Sequence, residues 1–81
     1  MTNDDIKVAF LEELIKVAPD IDPADVGGND QLQDDLELDS MDFLTLVTAL
    51  HKRLGVNIPE EHYLRIETLD KAVAYLSERM A

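Results

Sequence analysis

Ser40 is the residue of this chain best suited to covalent chemistry, because it stands at the predicted start of a helix between two acids. Asp39 precedes it and Asp42 follows two residues later. Either Asp39 or Ser40 is a natural N-cap, so the hydroxyl is expected at a helix N-terminus, where unpaired N–H groups favour an anionic group. A phosphate ester of Ser40 would be well placed there. The alternative is that Ser40 serves only as a cap.

Catalysis by Ser40 itself is not expected. A serine nucleophile needs a nearby base, and the histidines of the chain are His51 and His62. His51 lies about three helical turns beyond Ser40 and is out of reach. His62 follows Pro59 at a predicted helix start, where an ordinary surface histidine is expected. The residues beside Ser40 also lack the glycines of a nucleophile elbow.

The charge of the chain excludes some classes of partner. Eighteen Asp and Glu against seven Lys and Arg give a formal net charge of −11. The electrostatic field of this negative charge repels nucleic acid. The acids between Asp20 and Asp42 would steer a basic partner surface to that stretch. The same acids do not match the spacing of a calcium loop, so no dedicated metal site is expected. There is no cysteine, so any thiol chemistry must be supplied by an added group.

Length and composition predict one small domain over residues 1–81, with an aliphatic core, since the chain has two Phe, two Tyr and no Trp. The N-terminus lacks the basic and apolar regions of a signal peptide, and no apolar run reaches the length of a membrane span. A cytoplasmic protein is therefore expected.

The apolar spacing predicts three principal helices and one short helix, without a strand. The first helix opens with a capping box between Thr2 and Asp5 and ends before Pro19. The second covers residues 40–54 and ends at Gly55. The side chains expected to face the core are Ile6, Phe10, Leu14 and Val17 in the first helix, and Met41, Leu44, Val47, Leu50 and Leu54 in the second.

The connections are expected to be ordered. The loop from Pro19 to Asp39 contains the apolar residues Ile21, Val26, Leu32, Leu36 and Leu38, which can fix it to the bundle, and residues 22–25 can form a single helical turn. Val56 and Ile58 should point inward from an extended link, and Pro59 can start the short helix. Thr68 caps the last helix, with Leu69, Ala72, Val73 and Leu76 inward and Tyr75 at the edge.

Two stretches of the chain together resemble the acyl carrier proteins. Residues 34–42, Asp-Asp-Leu-Glu-Leu-Asp-Ser-Met-Asp, are similar to the attachment signature of that family. Residues 56–61, Val-Asn-Ile-Pro-Glu-Glu, are similar to its Ile-Pro-acid-acid link. The resemblance covers essentially the whole chain. It implies an all-α bundle of three principal helices plus one short helix, with a long ordered loop between helices one and two.

The resemblance implies a carrier rather than an enzyme. A phosphopantetheinyl transferase would move 4′-phosphopantetheine from coenzyme A onto Ser40, and the arm would carry acyl groups as thioesters in a fatty-acid, lipid or polyketide-type pathway. Asp39 would help to hold magnesium and to position the serine during transfer. Met41, Asp42 and Leu44 would face the transferase and later partners. Those partners would be acyl-activating, ketosynthase or acyltransferase enzymes with basic docking faces, and the carrier would be a monomer.

Two alternatives stay open. Residues 38–41, Leu-Asp-Ser-Met, also resemble D-alanyl carrier proteins, so the cargo could be D-alanyl or aminoacyl. The chain could also be an unmodified acidic adaptor that binds a basic partner. Glu37 and Leu38 stand where the carrier family usually has a glycine-containing dipeptide.

The end of the second helix departs from the family pattern. Thr45, His51, Lys52 and Arg53 stand where carriers of primary fatty-acid synthesis, by resemblance, usually show acids. Either Lys52 and Arg53 only complement the helix dipole, or the basic groups change the docking surface, where the neighbouring Glu60 and Glu61 could pair with them. This change from negative to positive local charge predicts a specialised carrier that serves a dedicated enzyme. The residues predicted to bind partners are Asp35, Glu37, Met41, Asp42, Leu44, Thr45, His51, Lys52, Glu60 and Glu61.

Overall fold

The computed structural model describes residues 2–80, which form three α-helices and two 3₁₀ helices. In chain order these are α1 (Asn3–Val17), a first 3₁₀ helix (Pro23–Asp25), α2 (Ser40–Leu54), a second 3₁₀ helix (Glu60–Ile66) and α3 (Leu69–Met80). Within the described residues, β pairing is limited to one isolated bridge between Gln31 and Thr68. The predicted all-α fold, with three principal helices, is confirmed. The single turn predicted at Pro23 is present as the first 3₁₀ helix.

The predicted caps open α1 and α3. At α1, the Thr2 hydroxyl accepts from the Asp5 amide and the Asp5 carboxylate accepts from the Thr2 amide, both at 3.2 Å. At α3, the Thr68 hydroxyl accepts from the Lys71 amide at 3.1 Å. Each cap satisfies amide groups that the helix leaves without intrahelical partners. Both helices therefore begin where the sequence predicts.

The long connection between α1 and α2 is fixed to the bundle, as predicted. Leu32 and Leu38 are buried in the core, and the Leu32 amide donates to the Glu67 carbonyl at 2.9 Å. The Asp70 amide donates to the Gly28 carbonyl at 3.0 Å, and a Cβ on Gly28 would collide with the Asp70 carboxylate. The loop is thus tied to the start of α3 by backbone hydrogen bonds and to the core by leucine side chains.

The face of α2 that packs in the core only partly matches the predicted one, since Val47 and Leu50 are buried as predicted but Met41 and Leu44 are not. Its buried residues are Phe43, Leu46, Val47 and Leu50. Met41 is 77% exposed and Leu44 is 48% exposed, so the prediction for these two was wrong. The buried set also follows the i, i+3, i+4, i+7 spacing of a helical face, which is why the sequence supports two neighbouring faces. Two large apolar side chains therefore lie in solvent beside the N-terminus of α2.

Tyr75 and His62 are also placed differently from their predicted positions. Tyr75 is 2% exposed and belongs to the core rather than its edge. Its hydroxyl lies 2.8 Å from His62 Nδ1, and Arg79 Nη2 lies 2.9 Å from the same nitrogen. Arg65 lies over the Tyr75 ring, 4.8 Å from its centroid. Because a buried phenol needs a polar partner, His62 has a structural role and is not an ordinary surface histidine.

Arg53 joins the end of α2 to α1. It donates to Glu13 at 2.8 Å and to Glu12 at 2.7 Å. Arg53 therefore pairs with two acids of α1, and the pairing with Glu60 or Glu61 that the sequence suggested is not formed within residues 2–80. The hydrogen bond from Arg53 holds the pKa of Glu13 below its ordinary value, although burial of Glu13 acts in the opposite direction. A second cation, Lys16, lies 3.2 Å from the same carboxylate.

We expect Arg53→Gln to lower the melting temperature at neutral pH, because it removes the main partner of a buried carboxylate. A depressed folded-state pKa adds stability above the unfolded value, which for Glu is about 4.3, and this stability is lost as pH falls through the folded-state pKa. The gap in melting temperature between wild type and variant should therefore close in acid. Thermal unfolding followed by circular dichroism from pH 7 to pH 3 measures it.

The matched control is Lys52→Gln, which removes a neighbouring cation that makes no ion pair with residues 2–80. It should change the melting temperature much less than Arg53→Gln does. Equal effects of the two variants at every pH would contradict a specific role for the contact between Arg53 and Glu13.

Candidate functional site: a serine at the N-terminus of α2

Ser40 is the first residue of α2 and is exposed to solvent. The Asp39 carboxylate accepts from the Asp42 amide at 2.7 Å, so Asp39 is the N-cap and Ser40 is not. The first intrahelical hydrogen bond of α2 runs from the Phe43 amide to the Asp39 carbonyl. The amides of Ser40 and Met41 therefore lie in the first turn without helical partners, where they favour a negative group. Within residues 2–80, the Ser40 hydroxyl makes no hydrogen bond and is available for reaction.

The backbone just before Ser40 makes a tight turn. Glu37 has φ 60°, the one positive φ outside glycine in the described chain. Leu38 follows and is 4% exposed, with its amide donating to the Leu32 carbonyl at 3.1 Å. The left-handed turn at Glu37 thus lets the chain bury Leu38 and still present Ser40 to solvent. Glycine adopts this conformation without strain, whereas other residues pay about 1–2 kcal/mol.

The acids predicted to bind partners differ in how freely they can do so. Asp35 accepts from the Gln31 amide at 2.7 Å, so one of its oxygens stabilises the loop. Asp39 is committed in the same way to its cap. Glu37 is exposed and makes no hydrogen bond through its side chain within residues 2–80. Across those residues no cluster of three or more potential metal ligands occurs, so these acids provide negative charge and no preformed metal site.

A cleft of about 390 Å³ opens beside Ser40 between α2, the long loop and the second 3₁₀ helix. Its lining residues are Gln31, Gln33, Asp34, Ser40, Phe43, Leu44, Glu60, Tyr63, Leu64 and Glu67. Phe43 and Tyr63 meet edge to face across the cleft wall, with ring centroids 5.4 Å apart. The volume lies within the range of small-molecule pockets. The cleft thus offers a partly apolar space directly beside the serine.

The structure brings five of the ten predicted partner-binding residues to two surfaces. Leu44 and Glu60 lie with Ser40 in the cleft, while Met41, Leu44, Thr45 and Lys52 line a groove on the outer side of α2. The remaining five line neither surface: Asp35, Glu37, Asp42, His51 and Glu61. His51 is turned to the end of α2, where its Nδ1 lies 3.2 Å from the Val56 carbonyl. Arg53 is taken up by its contact with α1.

Sequence reasoning missed the residues that the second 3₁₀ helix contributes to the cleft. Tyr63 is half-buried there, and Leu64 is 77% exposed. The exposure of Leu64 beside the half-buried Tyr63 marks this surface. The sequence alone does not reveal it, because which of two adjacent apolar residues faces solvent depends on how the short helix is wound. Lys16, Thr48 and Ala49, which line the groove on the outer side of α2, were missed too. For Thr48 a signal was present, since residues 41, 44, 45, 48 and 52 share one face of α2 at helical spacing.

Comparison with known proteins decides the family. The family described as "Phosphopantetheine attachment site" matches residues 9–76 of the chain. The chain belongs to this carrier protein family. The acyl carrier protein of Renibacterium salmoninarum is 30% identical over 80 residues, which is 99% of this chain and 98% of that protein. That of Zymomonas mobilis is 38% identical over 61 residues, covering 75% of this chain and 78% of the relative.

Two further carrier proteins extend the comparison. The meromycolate extension acyl carrier protein of Mycolicibacterium aurum is 30% identical over 71 residues, covering 88% of this chain and 73% of that protein. A solution structure assigned to an acyl carrier protein of Anaplasma phagocytophilum superimposes with a TM-score of 0.87 at 26% identity, covering 100% of this chain and 94% of the other. The long loop and the helix order are therefore features of the carrier fold.

Members of this carrier family are not catalysts, and their cofactor is phosphopantetheine. The first turn of α2 fits a phosphodiester, because it has free amide groups and an exposed hydroxyl. The cleft beside it can receive a flexible chain. The family implies partners of two kinds, a phosphopantetheinyl transferase and the enzymes of a pathway. Among residues 2–80 of this carrier, no helix is both long enough and apolar enough to cross a membrane.

We expect Asp39→Ala to destabilise the carrier by about 1 kcal/mol, because it removes the N-cap hydrogen bond to the Asp42 amide. Asp39→Asn keeps an oxygen that can accept this bond and should lose much less. Urea unfolding followed by circular dichroism gives both values. If Asn destabilised the protein as much as Ala, the charge of Asp39 and not its cap would be responsible.

We expect Glu37→Gly to be more stable than Glu37→Ala by roughly 1 kcal/mol. Both variants remove the same charge, but only glycine adopts φ 60° without strain. Glycine also loses more chain entropy on folding, which offsets part of this gain. The comparison uses the same urea unfolding experiment. Equal stability of the two variants would show that the backbone at this position is not strained.

Proposed function

We propose that Ser40 carries the 4′-phosphopantetheine arm and that the chain shuttles acyl groups between enzymes of a lipid, fatty-acid or polyketide-type pathway. The observation that carries this proposal is the exposed and unbonded Ser40 hydroxyl at the N-terminus of α2. The match to the phosphopantetheine attachment family covers this position. The absence of cysteine is consistent, because an attached group supplies the thiol that the chain does not encode.

The local structure suits the loading step. Ser40 Oγ attacks the phosphorus that bears the pantetheine arm of coenzyme A and forms the new phosphoester bond. The P–O bond of the pyrophosphate bridge breaks, adenosine 3′,5′-bisphosphate leaves, and the proton of the serine hydroxyl is released. The amides of Ser40 and Met41 favour the negative charge of the phosphodiester. The Asp39 cap holds the first turn of the helix and so fixes the backbone from which the Ser40 hydroxyl projects. Asp39 is then a positioning residue for Ser40, and it also lies close enough in sequence to contribute negative charge to a magnesium ion brought by the transferase.

The surface around Ser40 supports contacts with basic enzymes. Exposed Asp39 and Glu37 give this end of the carrier a negative field, and the net charge of −11 extends it. Such a field raises the rate of encounter with a positively charged surface. The exposed apolar side chains of Met41 and Leu44 lie beside the serine and can be covered by the partner. The transferase and later acyl-activating, ketosynthase or acyltransferase enzymes would share this area.

The cleft beside Ser40 is the natural place for the cargo or for part of the arm. It is bounded by the Phe43 and Tyr63 rings on its apolar side and by Glu60 on its polar side. A thioester sheltered there would be less accessible to water. The second 3₁₀ helix forms one wall, so movement of that helix would change how much of an acyl chain the cleft can hold.

The test is a mass measurement. We expect incubation with coenzyme A, magnesium and a broad-specificity phosphopantetheinyl transferase to add one phosphopantetheinyl group to the wild type and none to Ser40→Ala. The matched control is Ser77→Ala, which removes a serine on α3 and should leave loading unchanged. Circular dichroism of all three proteins checks that the fold is kept.

An unmodified wild type in the presence of active transferase would refute the proposal. The same experiment separates a carrier from an acidic adaptor, because an adaptor does not need the hydroxyl. An adaptor would keep its cellular function when Ser40 is replaced by Ala, whereas a carrier would lose it completely.

A further inference from the structure

The outer side of α2 carries a groove, called here the outer groove, that starts beside Ser40 and follows the helix towards its C-terminus. Its volume is about 730 Å³. The residues that line it are Glu13 and Lys16 of α1 and Met41, Leu44, Thr45, Thr48, Ala49, Lys52 and Arg53 of α2. Leu44 lines both this groove and the cleft beside Ser40. An enzyme that approaches Ser40 from this side must therefore cover part of the outer groove.

The middle of the outer groove is poor in hydrogen-bond donors. The Thr45 hydroxyl donates to the Met41 carbonyl and the Thr48 hydroxyl donates to the Leu44 carbonyl, both at 2.9 Å. Each hydroxyl hydrogen is thus used within α2, and Ala49 adds a methyl group. A partner gains most here by placing an apolar side chain against Met41 and Leu44, which are exposed without it.

The far end of the outer groove is cationic. Three cations and one carboxylate line it, in a chain whose net charge is −11. Arg53 and Lys16 are both bonded to Glu13. Lys52 is exposed and makes no ion pair with any residue from 2 to 80. The unbalanced positive charge of the groove is therefore centred on Lys52.

The two ends of α2 thus differ in sign. The N-terminal end has the exposed acids Glu37 and Asp39, whereas the other end has Lys52, twelve residues beyond Ser40. At the helical rise this places Lys52 about 18 Å from Ser40 along the helix axis. A surface that is basic throughout would be attracted at one end of α2 and repelled at the other.

We propose that the outer groove docks an enzyme surface that is basic beside Ser40 and presents a carboxylate to Lys52, with an apolar side chain between them on Met41 and Leu44. This inference rests on the proposed function, because it assumes that the partner comes to collect or deliver cargo at Ser40. It names the partner by its charge pattern. Charge complementarity at the far end selects against enzymes whose carrier-docking surface is basic along its whole length.

The experiment uses the phosphopantetheine-loaded, acylated carrier and a fatty-acid ketosynthase with a uniformly basic docking surface as the probe. We compare kcat/KM for the wild type, Lys52→Glu and the matched control Lys7→Glu. Lys7 is exposed on α1, does not line the outer groove and makes no ion pair with residues 2–80, so its replacement gives the same change in net charge. Lys52→Glu should raise kcat/KM about threefold to tenfold, and Lys7→Glu should change it less than twofold.

The reciprocal arm replaces the basic residues of the ketosynthase docking surface with Glu, one at a time. One of these enzyme variants should reverse the order and use the wild type better than Lys52→Glu. Both differences should shrink in about 0.5 M salt, where the Debye length is only a few ångströms. The original enzyme should thus prefer Lys52→Glu, whereas one enzyme variant should prefer the wild type. Such a crossing of preferences would show that Lys52 lies opposite a partner side chain and favours a carboxylate there.

Two outcomes would overturn the inference. One is equal behaviour of Lys52→Glu and Lys7→Glu with every enzyme variant. The other is a wild-type dimer in sedimentation experiments that Lys52→Glu dissociates, since the carboxylate opposite Lys52 would then belong to a second copy of the chain. Mass spectrometry of each carrier before the assay keeps the two proposals distinguishable. A wild type that cannot be loaded refutes the proposed function, whereas loaded carriers without the crossing refute only the docking surface.

Discussion

The burial of Leu38 is the contact on which the geometry of the site depends. This side chain lies in the core two residues before Ser40, and its amide is bonded to the Leu32 carbonyl. A loop that begins after α1 would otherwise be free to move, and the start of α2 would move with it. Because the Leu32 amide in turn donates to the Glu67 carbonyl, the loop that leads to Ser40 is also linked to the residue that follows the second 3₁₀ helix. The chain passes from the core into α2 within three residues, and the backbone strain of the left-handed conformation at Glu37 accompanies this change of direction.

α2 performs two tasks on two different faces. Phe43 and Leu46 belong to the face that packs in the core, and their burial holds the bundle together. Met41 and Leu44 belong to a neighbouring face and remain 77% and 48% exposed. A bound partner that covers them would gain binding free energy of roughly 25 cal/mol per Å² of apolar surface removed from water. One side of α2 thus stabilises the bundle and the neighbouring side is free for recognition. At the C-terminal end of α2, Arg53 bonds the helix to α1.

The sequence predicted what local rules control, and it failed where two equally regular patterns competed or where distant residues meet. The caps at Thr2 and Thr68 and the position of Ser40 follow from short-range signals, and all three are in place. Met41 and Leu44 were wrongly placed in the core because residues three and four apart satisfy the helical period from more than one starting point. Arg53 pairs with Glu13 and Glu12, which are 40 and 41 residues away, and no local pattern reports such a pairing. Tyr75 was placed at the edge, whereas the nearby His62 satisfies its hydroxyl inside the fold.

The placement of the aromatic side chains gives the carrier a built-in optical signal. The chain has no tryptophan, so its near-ultraviolet emission comes from Tyr63 and Tyr75 alone. Tyr63 stands against the Phe43 ring of α2, and Tyr75 stands against His62 and the Arg79 guanidinium. The second 3₁₀ helix lies between these two environments. Separation of that helix from α2 changes the surroundings of one fluorophore, and separation from α3 changes those of the other. Single Tyr→Phe replacements would therefore show, without an external dye, whether the second 3₁₀ helix separates from α2 or from α3 when cargo enters.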